Sequence, residues 1–239
     1  MLTEKYKHAT WNGSSFWHGT SSIFLDSIRS KGLGAINPAT DYKLLDVLSF
    51  LYDEIIKHQI THPVFLTNKS SIEAAIAQGT LELDGMLLNF KHDGIYMSAS
   101  PIKAAYYACL NLVGSEILEK CLILLSVLMD AGKEPEIPVE LDVFGVRKHL
   151  NQRAKPIMIE ITEITDDQLL LENGDDPTAL LREMRETFPN QPIAQQFERL
   201  QFCNFKLLNP VPASKLRFYE ADFEGDPKTR NFQYYLSRI

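Results

Sequence analysis

Gly94 to Ala108, GIYMSASPIKAAYYA, is the stretch on which the reading of the chain turns. Ile95-Tyr96-Met97 is a short run of apolar and aromatic residues of the kind that favours strands. Ser98-Ala99-Ser100-Pro101 reads as a turn. Pro101 suits the first turn of a helix, where a missing N–H has no intrahelical bond to lose. Helical sequence follows. Tyr96 and Tyr107 are eleven residues apart, and strand and turn take up part of that span. Both rings can therefore face one cleft at the strand–helix junction. Ser15 to Leu33 repeats the same order of strand, polar turn, helix and glycine stop. It sets His18 on one wall of that cleft and the tyrosines on another.

On the N-terminal side, residues 1–13 read as a polar arm with Trp11 tucked onto the body, and Ser14–Trp17 as a short strand. Thr20, Ser21 or Ser22 caps a helix carrying Ile23, Phe24 and Ile28, and Gly32 and Gly34 end it. Asp41 to His58 is an amphipathic helix with the stripe Leu44, Leu45, Leu48, Leu51, Ile55 and Ile56, and Asp41 as its candidate cap. A shorter helix spans Ser70–Gly79, and residues 80–92 are a connection. Beyond the central stretch the helical pattern runs on to Met129, bending near Gly114. Residues 132–140 are a loop and Leu141–Gln152 a further candidate helix. Pro156–Thr162 is a strand, and Thr178–Phe188 is a helix broken by Pro189-Asn190-Gln191-Pro192. Two late strands, Leu200–Leu208 and Lys215–Tyr219, precede a polar tail from Glu224. Strands this far apart in sequence predict an α+β fold with non-local pairing. The simplest organisation is one domain over 1–239, with 14–115 and 155–220 as core and 35–92 as a mainly helical insertion.

The 239 residues are 45% apolar and 23% charged, as in a globular protein with ample core. A net charge of −7 argues against an extended nucleic-acid footprint, which needs clustered Lys and Arg. The three cysteines make no disulfide framework, and Cys109 and Cys121 sit in apolar helical sequence as buried thiols. No apolar segment near the N-terminus resembles a signal peptide, and the longest apolar run is too short to span a bilayer. These features predict a cytoplasmic protein with no membrane partner. No Cys/His spacing suggests zinc, so no metal is expected. GxSxG, Walker A and HExxH are absent. Asp166-Asp167 and Asp175-Asp176 read as helix-start or turn residues.

Taken singly, His18, Tyr96, Tyr107 and Lys103 suit structural roles as well as binding ones. Their order is more informative. Trp17-His18-Gly19-Thr20, then Gly32-Leu33-Gly34, Gly94-Ile95-Tyr96-Met97-Ser98 and Lys103-Ala104-Ala105-Tyr106-Tyr107 resemble the catalytic domain of the ADP-ribosyltransferase superfamily, in the branch of the poly(ADP-ribose) polymerases. Lys103 and Tyr107 fall seven and eleven residues after Tyr96, where the family helix places a lysine and a nicotinamide-stacking tyrosine. The resemblance implies a split antiparallel β-sheet core with helical insertions, and NAD⁺ as substrate. It implies that His18 bonds a ribose hydroxyl and that the Gly19 backbone, with Thr20 beside it, binds the carboxamide. Tyr96 and Tyr107 would sandwich the nicotinamide ring. The chemistry suits such a site. Nicotinamide is a cationic leaving group, so the enzyme has to orient the sugar and stabilise oxocarbenium-like charge.

The chain departs from the family pattern twice. Ala104 stands where a serine usually bonds the carboxamide, and Ser98 or Ser100 is the candidate substitute. Alignment of the late strand puts Gln201 in place of the family's glutamate, with Glu198 three residues earlier. Either could assist at the ribose, and loss of the glutamate disfavours chain elongation. The expected activity is mono-ADP-ribosyl transfer to a protein, a nucleic acid or water. Two alternatives accompany it. One is a degenerate domain that binds NAD⁺, ADP-ribose or a protein partner without turnover. The other is an RNA 2′-phosphotransferase on the same fold, for which Arg29 is the one arginine near the motifs.

Overall fold

A computed structural model describes residues 11–83, 85–229 and 231–239. Residues 1–10 of the expected polar arm lie outside them. Strand β1 (Phe16–Ser21) leads into helices α1 (Leu25–Lys31), α2 (Pro38–Asp41), α3 (Leu44–Lys57) and α4 (Pro63–Ile76). A hairpin of β2 (Thr80–Leu83) and β3 (Met86–Asn89) follows, then strand β4 (Tyr96–Ser98) and helices α5 (Pro101–Leu110) and α6 (Glu116–Asp130). The remainder holds β5 (Pro156–Ile161), β6 (Leu169–Leu171), α7 (Thr178–Thr187), α8 (Ile193–Leu200) and β7 (Asn204–Leu207), then the long hairpin β8 (Leu216–Asp226) and β9 (Asn231–Arg238).

The chain divides into two compact units. The first comprises the residues up to Ile36, 94–114 and 154–239; the second comprises 37–93 and 115–153. The second unit therefore draws on two separate stretches, because α6 packs on α3 instead of prolonging α5. Gly114 makes the break at φ +69°, a left-handed conformation costly for other residues. The Ser115 side chain then accepts from Leu118 N and starts α6 afresh.

In the first unit seven strands form one sheet in the order β6-β7-β4-β1-β5-β8-β9, and each pairing is antiparallel. The fold is thus mixed α+β with an antiparallel sheet. Strand β5 is buried along its whole length, which explains its nearly unbroken apolar sequence PIMIEI. Helix α5 lies across β1, β4, β5 and β8. Its small residues Ala104, Ala105 and Ala108 form a buried cluster with Cys109, Met158 and Ala221. On the opposite face the Phe16 ring meets Phe205 edge-on at 5.2 Å. Trp11 is 7% exposed and packs on Phe16 and Phe188, with its Nε1 donating to Ser15 O.

In the second unit, Leu44, Val47, Leu48, Leu51 and Ile55 give α3 one fully buried stripe at helical spacing. Asp41 does not cap this helix. Its carboxylate accepts from Asn37 N at 2.7 Å and closes α2. Helix α4 starts earlier than Ser70, because Pro63 opens it and the His62 side chain accepts from Val64 N. The segment read as a connection contains the β2–β3 hairpin. Leu141–Gln152 contains a single 3₁₀ turn, Val146–His149, in place of a helix.

Two further differences bear on the site. The expected strand Leu200–Leu208 shrinks to β7, because α8 occupies the residues after Pro192. Gln196, buried in α8, donates to the carbonyls of Phe188 and Gln191 and anchors the helix to the proline-rich break. Strand β6 and the tail strand β9 were also hidden, although Tyr234 and Leu236 of the tail pack on the cluster under α5. No helix among the described residues is long and apolar enough to cross a membrane.

Candidate active site

Strand β1 pairs with β5 at every position from Phe16 to Ser21. With β4 it shares one bridge, Trp17↔Ser98, among the described residues. Just beyond that bridge the half-buried imidazole of His18 takes over. Its Nδ1 donates to the carbonyl oxygen of Tyr96 at 2.7 Å. A carbonyl can only accept, so Nδ1 carries the proton and Nε2 is left as an acceptor. Burial pushes the His18 pKa below the usual value of 6.5, with the bond to Tyr96 opposing the shift. The ring is therefore held neutral in one tautomer.

Side chains alternate across a strand, so Trp17 and Gly19 share a face. The bridge puts Ser98, and hence Tyr96, on that same face. Helix α5 covers it. A Cβ at Gly19 would lie 2.2 Å from the Ala104 carbonyl oxygen and 2.9 Å from Ala108 N. The glycine thus lets the helix come close to the strand. Tyr107 stands on α5 with its side chain 51% exposed and its ring edge-on to Tyr106 at 5.8 Å. Lys103 lies one turn earlier on the same helical face.

The structure bonds His18 to the backbone of Tyr96. Strand alternation turns the imidazole to the Phe16 face, opposite the face that Tyr96 shares with α5, so the single cleft expected of His18, Tyr96 and Tyr107 is not formed by the strand faces alone. It gathers a second group at the start of α5. Ser100 caps the helix by accepting from Lys103 N at 3.2 Å. Gln201 Nε2 donates to the same hydroxyl at 3.3 Å, and Lys103 Nζ donates to the Gln201 carbonyl. Gln201 is not on a strand: it caps the C-terminus of α8, and Glu198 is an exposed residue of that helix. The late-strand placement of both is corrected accordingly. Ser98 is 4% exposed, with its hydroxyl donating to Cys203 O and accepting from Ser100 N. Ala104 is buried, and Thr20 turns its hydroxyl towards Gly114 O.

The strand that pairs with β4 begins at Asn204. Its register is Tyr96↔Lys206, Met97↔Phe205 and Ser98↔Asn204. Asn204 and Lys206 thus face the same side as Tyr96, a position the sequence reading had given to Gln201. The alternation Asn204-Phe205-Lys206-Leu207 carries this signal, and the strand begins four residues after Leu200. Asn204 Nδ2 in turn donates to Glu172 Oε2 at 2.8 Å.

The cysteines carry no reactive signature. Cys109 is pushed up to about 12 by burial, and burial raises Cys121 and Cys203 as well. Among the described residues no three His, Cys, Asp or Glu side chains gather as a metal site. Comparison of the chain with protein-family models, curated proteins and solved structures finds no match.

Proposed function

We propose that this protein is an NAD⁺-dependent mono-ADP-ribosyltransferase, releasing nicotinamide and passing ADP-ribose to an acceptor hydroxyl, water included. The observation that carries the reading is the His18–Tyr96 bond. It fixes a neutral imidazole with Nε2 as acceptor, the form that can take a hydrogen bond from a ribose hydroxyl. The single β1–β4 bridge beside a continuous β1–β5 ladder supports reading the sheet as the split sheet of that superfamily. The exposed Tyr107 suits stacking on a planar base, because an exposed ring keeps a face for a ligand. Transfer of label from NAD⁺ to candidate acceptors, with His18→Ala as control, tests the activity. Label transfer that persists unchanged in His18→Ala would refute the role given to His18.

A second reading is favoured by one specific observation. Gln201 caps a helix and Ala104 is buried, so neither offers the polar group expected of it toward substrate. On that reading the domain binds NAD⁺ or ADP-ribose without turnover. Calorimetric binding without nicotinamide release separates the two. The phosphotransferase alternative gains no support, since Arg29 lies over the Phe218 ring.

A further inference from the structure

Among the described residues the seven-stranded sheet ends in two unlike edges. Strand β6 closes one side with three residues, and so short an edge offers little for another chain to pair with. Strand β9 closes the other with eight, NFQYYLSR. Soluble proteins blunt an edge of this length with proline, lysine or a bulge. Strand β9 has no proline and no lysine, and its one charge is Arg238. Its register with β8 runs unbroken from Asp226↔Asn231 to Tyr219↔Arg238. We propose that β9 is an interface with a second copy of this chain, the two β9 strands pairing antiparallel about a twofold axis at Tyr235.

The register sets the geometry of that pairing. Ile239 N donates to Phe218 O at 3.1 Å, so Ile239, Ser237, Tyr235 and Gln233 turn their backbone groups toward β8. The next ladder agrees. Thr162 N donates to Lys215 O at 3.2 Å, so odd-numbered residues of β8 serve β5 and even-numbered ones serve β9. In β9 the even-numbered residues, Leu236 and Arg238 among them, therefore turn their N–H and C=O outward. Two outward residues must stand opposite one another to bond. An axis at Tyr235 meets that condition, with Leu236 across from the partner's Tyr234, and it overlaps the strands along their whole length. A slip of one residue would set outward groups against groups already bonded to β8.

The side chains that would meet are compatible. Tyr235 is 49% exposed and faces the partner's Tyr235, an aromatic cross-strand pair. Gln233, also exposed, stands across from the partner's Ser237. On the other face Tyr234 and Leu236 pack on the cluster under α5, and the partner's Leu236 and Tyr234 lengthen that apolar row. Arg238 stands across from position 232, so like charges do not oppose each other. The interface is the same patch on both copies, so each covers the other's edge and association stops at two. One strand pair is smaller than the roughly 1,600 Å² of a standard interface, so an affinity on the order of micromolar is expected.

The test is sedimentation velocity of the full chain from about 1 to about 300 μM, a range that brackets such an affinity, with thermal melts alongside. Tyr235→Lys sets two lysines across the axis. In its own copy position 235 faces Asp222 of β8, so the variant is expected to fold. Arg238→Pro removes an outward N–H and no bond to β8, the place where an edge strand tolerates proline. The expected result is a wild-type dimer at high concentration and association about tenfold weaker in each variant. Melting temperatures should stay within about 3 °C of wild type. An equimolar mixture of Tyr235→Lys and Tyr235→Glu should restore the dimer, because opposite charges then meet at the axis. Wild type that stays monomeric at the highest concentration overturns the proposal and gives the edge to another partner. A dimer that both variants leave within about twofold, a mixture that associates no better than its components, or growth beyond two copies overturns it as well, because the contact then lies elsewhere.

Discussion

His18 Nδ1 lies 2.7 Å from the carbonyl oxygen of Tyr96, so a side chain bridges β1 and β4 just past the Trp17–Ser98 pair. The bond does two jobs. It satisfies a backbone acceptor where the ladder ends, and it selects the imidazole tautomer that presents Nε2 as an acceptor. Replacing His18 with Asn is expected to retain part of the first job and lose the second. Thermal stability should fall by about 1 kcal/mol or less, the net worth of one hydrogen bond. NAD⁺ affinity, read by calorimetry, should fall about tenfold, the equivalent of about 1.4 kcal/mol.

Gly19→Ala tests the packing under the site. Its Cβ would meet the Ala104 carbonyl oxygen at 2.2 Å, a backbone atom that cannot turn aside. Overpacking of this kind costs about 3 kcal/mol. The melting temperature should drop by about 6–12 °C. An unchanged melt would mean that α5 does not rest on β1 as described.

Tyr107→Ala separates a ligand role from a core role. The side chain is half in solvent, so its removal should change stability by less than about 1 kcal/mol. NAD⁺ binding should weaken by about tenfold as a stacking face is lost. A large drop in stability with unchanged binding would return Tyr107 to the core.

Gln201→Glu addresses the position that the sequence alignment gave to the family's glutamate. Gln201 touches the Ser100 cap of α5, so a carboxylate there would meet the positive end of the helix. A gain of about 0.3–1 kcal/mol in stability is expected, with no increase in nicotinamide release. A marked gain in turnover would restore Gln201 to the reacting centre.

Acid should destabilise the fold through three wholly or partly buried histidines. Burial is the main cause that lowers His18, His92 and His149 below the ordinary value of 6.5. The unfolded chain therefore takes up protons first. The stabilisation is fully present above pH 6.5 and is lost as pH falls through that value towards the folded pKa values. Glu54 and Asp176, both held low by hydrogen-bonding partners, respond only in a more acidic window. Urea midpoints at pH 7.5 and 5.5 should fall on acidification, by a smaller amount in His18→Asn. A midpoint that rises on acidification would contradict this.

Local patterns in the sequence revealed the parts of the fold that depend on neighbouring residues. The α3 stripe, the apolar run of β5 and the Ser100-Pro101 start of α5 all follow from spacing and capping. What was hidden depends on partners distant in sequence. Leu169–Leu171 is three residues long and becomes a strand by pairing with β7. Asn231–Arg238 looks polar, yet it pairs with β8 along its whole length. In the candidate site, His18, Tyr96 and Tyr107 stand in motifs that can be read directly. Asn204 does not, because its place opposite Ser98 is set by the register between β4 and β7. Gln201 is hard to place from sequence because Ile193–Leu200, the helix it ends, follows a proline break and has no side-chain cap to mark its start. The second unit is not apparent in the sequence because α6 follows α5 closely, while its apolar face belongs to α3.

Nicotinamide release from NAD⁺ by wild type and by His18→Ala, measured side by side at pH 7.5, is the most direct test of the central claim. The account predicts release by wild type that falls about 100-fold in the variant. Equal release from both proteins, or none from wild type at saturating NAD⁺, would contradict it.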